Sequence, residues 1–152
     1  MGGMDTPARR LVVPTDFSET ADRALSRAME MARALPAEID LIHVHSPIVV
    51  LPPPIDMVSL STVFPKAQDK MEEALEARAV RVRDAGIACE IELLEGAPHV
   101  EIVAYADRVQ AELIVLGTHG RGGLAHAVLG SVTERVIHRA TCPVLVVPDR
   151  KK

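Results

Sequence analysis

Short runs of consecutive apolar residues recur along this chain, separated by longer stretches whose apolar positions repeat at helical spacing. Leu11-Val12-Val13-Pro14 has the length of a buried strand, and Ile39 to Val44 is a second such run. Between them Ala21, Leu25, Ala28, Ala32 and Leu35 fall on one helix face, which Ser18 can cap and Pro36 must stop. Met71, Leu75, Ala79 and Val82 form another helical stripe ending at Gly86, after which Ile87, Cys89, Ile91 and Leu93 alternate as a third strand. Pro98 opens a helix to about Gln110, and Leu113-Ile114-Val115-Leu116 is a fourth strand. Ser131 starts a last helix to about Arg139, and Val144-Leu145-Val146-Val147 is a fifth strand.

This alternation predicts an α/β fold. Strands that are apolar throughout have both faces covered, which points to a doubly wound, Rossmann-like parallel sheet with helices on both sides. At 152 residues the chain is read as a single domain. In such folds ligands bind beyond the carboxyl ends of the strands, where the strand order reverses. Attention therefore falls on Pro14-Thr15-Asp16 after the first strand, Val44-His45 after the second, and Gly117-Thr118-His119-Gly120-Arg121-Gly122-Gly123 after the fourth.

The last of these is rich in glycine and is followed by Gly130-Ser131 at the start of a helix, with Thr133 in its first turn. Glycines let backbone N–H groups approach an anion, and a helix start adds unpaired donors and a positive dipole end. Phosphate is the natural ligand for that combination, with Ser131 and Thr133 offering hydroxyls and Arg121 a charge. A purely structural reading stays open. Ser131-x-x-Glu134 has the form of a capping box, and loop glycines also serve tight turns. No G-x-x-x-x-G-K-[ST] is present, so this is not a P-loop. Gly120-x-Gly122-x-x-Ala125 follows the fourth strand with too little chain beyond it for a dinucleotide fold.

The spacing Gly117-x2-Gly120-x9-Gly130-Ser131 lies between Leu113-Ile114-Val115-Leu116 and Cys142-Pro143-Val144-Leu145-Val146-Val147-Pro148. So placed, it resembles the nucleotide-binding signature of the universal stress protein family. Leu11-Val12-Val13-Pro14-Thr15-Asp16-Phe17-Ser18 and Leu41-Ile42-His43-Val44 extend the resemblance over essentially the whole chain except its proline-rich stretch. It implies a five-stranded parallel sheet of order 3-2-1-4-5 and, with this glycine spacing kept, membership of the ATP-binding subclass. Pro14, Thr15 and Asp16 would then border the adenosine, Val44 would pack on adenine, and Gly117 would approach the ribose. Gly120, Gly130, Ser131, Val132 and Thr133 would hold the triphosphate, with His119 and Arg121 nearby. Read from the residues alone, Asp16 serves equally as an Asx turn or cap after a strand, and Val44 as ordinary core.

Dedicated phosphoryl transfer needs carboxylates holding a metal at the γ-phosphate, and Asp16 is the only acid in these loops. No catalytic residue is assigned. Mg²⁺ would be held only with phosphate oxygens and several waters. The resemblance implies slow hydrolysis or autophosphorylation at most, and regulation through nucleotide occupancy as the usual role in stress signalling. An interaction protein that uses the same fold without nucleotide is the alternative. His43 and His45 share a strand face, and His119 and His126 lie in the glycine loop, but no Cys or carboxylate stands at ligand spacing, so no metal site is expected.

Composition narrows the partners. A formal net charge of -4 and 2% aromatic residues argue against nucleic acid, which needs basic surface and stacking rings. The most apolar stretch, Leu41 to Ile55, is broken by His43, His45, Pro47 and Pro52-Pro53-Pro54, so no bilayer span is expected. No secretory signal is recognised, Met1-Gly2-Gly3-Met4-Asp5-Thr6 reads as a loose terminus despite its formal myristoylation pattern, and a cytoplasmic setting is expected. Cys89 and Cys142 read as small buried apolar residues.

In the implied order the fifth strand is an edge, and Val144, Leu145, Val146 and Val147 are an apolar one. Pairing with the same strand of a second copy would cover it, as is common in the family, giving a two-fold homodimer. Ser46 to Pro65 shows no clear periodicity and is read as an irregular, proline-rich loop, with a lid over the adenine as one possible use.

Overall fold

Val, Leu and Ile fill every position from 11 to 13 and again from 113 to 116, and these runs form the central strand of the sheet and one of its two neighbours. The computed structural model describes residues 7–46, 57–119 and 129–149, with residues 57–64 by backbone alone. In chain order the elements are β1 (Arg9–Pro14), α1 (Glu19–Ala34), β2 (Ala37–His45), α2 (Met57–Asp84) and β3 (Cys89–Glu95). They continue with α3 (Pro98–Arg108), β4 (Leu113–Gly117), α4 (Ser131–Arg139) and β5 (Val144–Val147). Ser18 caps α1 by accepting from the Ala21 amide at 3.2 Å, and the helix ends with Leu35 at its C-cap, immediately before Pro36. Gly86, at φ 82°, closes α2 in the left-handed conformation that glycine adopts without strain.

All strands are parallel, in the order β3-β2-β1-β4-β5. Each central strand divides its side chains between two layers. Leu11, Val13, Ile39, Leu41 and Val115 pack against Leu25, Ala28 and Met29 of α1 and Leu75, Ala79 and Val82 of α2. Val12, Ile42, Ile114 and Leu116 pack against Ile102, Tyr105 and Ala106 of α3 and Val136 of α4. Helices thus cover both faces, as the continuous apolar strands require.

One buried charge interrupts the second layer. Asp40 is wholly buried, and Arg10, near the start of β1, donates to both its oxygens at 3.0 and 2.9 Å. Tyr105 is buried beside this pair; burial first, and then the Asp40 charge, push its pKa up to about 12.

The structure corrects two boundaries and one cap. The segment expected to be irregular from Ser46 to Pro65 divides, because 57–65 is already the start of α2, while 47–56 lies outside the described residues. Val58, Ser59, Ser61, Thr62 and Val63 are weak helix formers and Pro65 removes an i→i−4 bond, so propensity gave no sign of this turn of helix. The third strand starts at Cys89 rather than Ile87, whose amide instead donates to the Val82 carbonyl at the end of α2. The last helix is capped by Gly130, with no side-chain cap bond, so Ser131 is its first residue and not its cap.

Candidate functional site

α1 leaves β1 toward one face of the sheet and α4 follows β4 on the other, so the chain parts at the carboxyl ends of these neighbouring strands. A cleft of about 430 Å³ opens there. It is lined by Pro14, Thr15 and Asp16 after β1, His43 and Val44 of β2, Leu116, Gly117 and His119 at the end of β4, and Gly130, Ser131, Val132 and Thr133 entering α4. Ala21 of α1 and Pro98 and Ile102 of α3 complete it.

The turn after β1 is built by short side chains. The Thr15 amide donates to the Ile42 carbonyl at 2.8 Å, continuing the sheet by one residue. The Phe17 amide then donates to Thr15 Oγ1 and the Ser18 amide to Asp16 Oδ1, each at 3.0 Å. Phe17 sits at φ 66°, a left-handed backbone that is costly for a bulky residue. Its surroundings hold it there. Its ring lies 4.4 Å from the His43 ring, and the Arg78 guanidinium stands 5.1 Å from its centroid. Arg78 also donates to the Phe17 carbonyl at 3.2 Å and to Asp22 at 2.6 and 3.2 Å. His43 Nδ1 lies 2.7 Å from the Thr15 carbonyl oxygen. A carbonyl only accepts, so Nδ1 carries the proton in this contact.

Across the cleft, Gly117 owes its identity to packing: a Cβ there would lie 2.5 Å from Thr20 Cγ2 of α1. The Thr133 hydroxyl, almost fully buried, donates to the Gly117 carbonyl at 2.8 Å and ties α4 to the end of β4. The Gly130 amide donates to the Thr118 carbonyl at 2.6 Å, and Thr118 Oγ1 lies 3.0 Å from His119 Nδ1. Because the N-cap is a glycine, no side chain occupies the start of α4. The amides of Ser131, Val132 and Thr133 have no acceptor within the helix and mark its positive end, offset in part by Glu134 in the first turn.

Every expected site residue among the described ones lines this one cleft: Pro14, Thr15, Asp16, Val44, Gly117, His119, Gly130, Ser131, Val132 and Thr133. Gly120 and Arg121 lie outside the described residues. Two roles change. Asp16 gives one carboxylate oxygen to its own turn, and the Thr133 hydroxyl proton is given to Gly117, so that hydroxyl is not a donor for a ligand. Ala21, His43, Pro98, Ile102 and Leu116 were not on the sequence-based roster. The i,i+4 spacing of Pro98 and Ile102 places both on one face of α3, a signal available in the sequence once α3 is known to cover β2. Among the described residues no three His, Cys, Asp or Glu side chains cluster as a metal site, and no helix is long and apolar enough to cross a membrane.

Residues 7–148 match the model of the Universal stress protein family. The chain is similar to universal stress protein MJ0531 of Methanocaldococcus jannaschii, 39% identical over 95% of this chain and 84% of that one. The solved structure of MJ0577, from the same organism, matches with a TM-score of 0.79 at 29% identity, over 95% of this chain and 98% of that chain. A universal stress protein solved in complex with cAMP matches with a TM-score of 0.70 at 28% identity, over 94% of this chain and 98% of that one.

Proposed function

This chain belongs to the universal stress protein family, and on that premise we propose that its cleft binds an adenine nucleotide, ATP first among them. Occupancy would set the state of a regulatory protein in a stress response. The observation that carries the reading is convergence: residues from the ends of β1, β2 and β4 and the open start of α4 line one cleft at the switch point. Its volume is within the range of small-molecule sites, and the relative solved with cAMP supports an adenine nucleotide as the ligand class.

The residues fit such a ligand in two zones. Val44, Pro98, Ile102 and Leu116 offer an apolar wall for the base, with Thr15 and Asp16 at the ribose side. The amides of Ser131, Val132 and Thr133 and the Ser131 hydroxyl would receive the phosphates, with Gly120 and Arg121 proposed to join them. Mg²⁺ would come with the phosphates and their waters. Asp16 is the only acid among the described residues lining the cleft, which favours binding over turnover. A cytoplasmic homodimer paired through β5 completes the proposal.

The internal use of Asp16 and Thr133 is what favours the second reading, an interaction protein whose glycine loop is structural. Mass spectrometry of small molecules released from freshly purified protein, with calorimetric ATP titration of wild type and Gly130→Val, separates the two. Copurified or titratable ATP that the substitution abolishes supports nucleotide regulation. No bound nucleotide and no heat from wild type supports the interaction protein.

A further inference from the structure

We propose that His43 is a positioning residue for the cleft, holding the Thr15–Asp16–Phe17 turn in the conformation that meets the nucleoside. The inference rests on the nucleotide reading above. His43 is mounted on β2, a strand paired on both sides, with β1 at Pro14↔Ile42 and with β3 at His43↔Leu93. From that support it reaches the turn twice. Nδ1–H donates to the Thr15 carbonyl at 2.7 Å, and the ring lies 4.4 Å from the ring of Phe17, tilted by 39°.

Asp16 stands between those two contacts in the chain. The turn needs such support because Phe17 is held at φ 66° and its own side-chain bonds, Thr15 Oγ1 and Asp16 Oδ1, come from within the turn itself. Besides the Thr15 amide's bond to the Ile42 carbonyl, the side chains of His43 from the sheet and Arg78 from α2, which bonds the Phe17 carbonyl and Asp22, support it from outside. Of these two side chains, only His43 also lines the cleft. A side chain fixed by a strand and bonded to the backbone of a site residue is the usual way a binding wall is kept in register.

Two substitutions separate the donor from the ring. Asn carries an N–H one atom beyond Cγ, where His carries Nδ1–H, so His43→Asn keeps the donor and loses the ring. His43→Phe keeps the ring and loses the donor. Calorimetry with adenosine and with ATP should find His43→Asn within about threefold of wild type and His43→Phe about tenfold weaker for both ligands, the size of one lost hydrogen bond. Gly130→Val should weaken ATP alone. A merely structural role would lower the melting temperature of both His43 variants and leave the dissociation constants of the folded protein unchanged, and that result overturns the inference.

Where His43→Phe does not fold, long-range ¹⁵N–¹H correlation on wild-type histidine rings decides without any variant. A proton on Nδ1 of His43 supports the inference, and a proton on Nε2 alone overturns it. Wild type that binds neither ligand brings down the nucleotide reading and this inference together. Normal wild-type binding with an unaltered His43→Phe brings down the inference alone.

Discussion

The hydroxyl of Thr133 donates to the carbonyl oxygen of Gly117 across 2.8 Å, joining the first turn of α4 to the last residue of β4 over the intervening glycine-rich loop. Thr133→Val keeps the shape and removes the donor, leaving that carbonyl short of a partner in a partly buried place. We expect a loss of about 1–2 kcal/mol in urea unfolding. Ser131→Ala, exposed at the first position of the same helix, should change stability by less than about 0.5 kcal/mol. Equal stability of Thr133→Val and wild type would show that the tie does not matter.

Gly117 makes the next prediction. Its missing Cβ would lie 2.5 Å from Thr20 Cγ2 and 3.2 Å from the Thr20 carbonyl oxygen. Gly117→Ala therefore forces α1 away from β4, at a cost of about 1–3 kcal/mol. Thr20→Ser removes the methyl but not the carbonyl, so the double variant should recover part of the loss. A double-mutant cycle in urea with a coupling near zero would rule out this contact as the cause.

Periodicity made the sheet and most of α1 readable because a strand covered on both faces must be apolar at every position, and few other structures require that. It failed at 57–65, where helix is formed by weak helix formers and a proline, so context outweighs local preference. The cleft was legible wherever backbone approach demands glycine or a helix start, as at Gly130 and Ser131. His43 was not, because its role depends on the register that sets β2 beside β1, and that register is a three-dimensional fact. Gly117 lines the cleft as expected, but a second reason for its glycine was hidden from the sequence: a Cβ there would lie 2.5 Å from Thr20 Cγ2 of a helix that only the fold brings alongside.

Alkaline pH should unfold this protein through two buried acids. Burial raises Tyr105 to about 12 from an ordinary 10.0, and Cys89 to about 11 from 9.0. In both, the folded state holds its proton to higher pH than the unfolded chain does. Their stabilisation is complete below the unfolded values and is lost as pH rises through roughly 9 to 12. The urea midpoint should fall steeply from pH 8.5 to about 11, and Tyr105→Phe with Cys89→Ala should flatten that slope. An unchanged slope in the double variant would place the alkaline sensitivity elsewhere.

The Arg10–Asp40 pair should behave as a buried charge that needs its partner. Asp40 has a side-chain exposure of 1%, Arg10 one of 34%, so water reaches the guanidinium but not the carboxylate. Arg10→Met leaves the carboxylate uncompensated and should cost about 2–3 kcal/mol, the lower end for broken buried pairs because Arg10 is partly solvated. Arg10→Met with Asp40→Leu should regain most of that loss, since an apolar replacement needs no partner. Additive losses in the double variant would contradict the pairing.

The open edge of the sheet supplies the last test. The Ile114 amide donates to the Pro143 carbonyl and the Thr118 amide to the Val147 carbonyl. Alternation along β5 then turns the backbone groups of Leu145 toward β4 and those of Val144 and Val146 toward the free side. Val146→Pro deletes an outward N–H without removing any bond to β4, which is where an edge strand tolerates proline. If a second copy pairs along this edge, light scattering after size exclusion should give wild type twice the 16.4 kDa chain mass and Val146→Pro the single-chain mass. Wild type at 16.4 kDa would dispose of the β5 dimer. A Val146→Pro dimer would move the interface off this backbone edge.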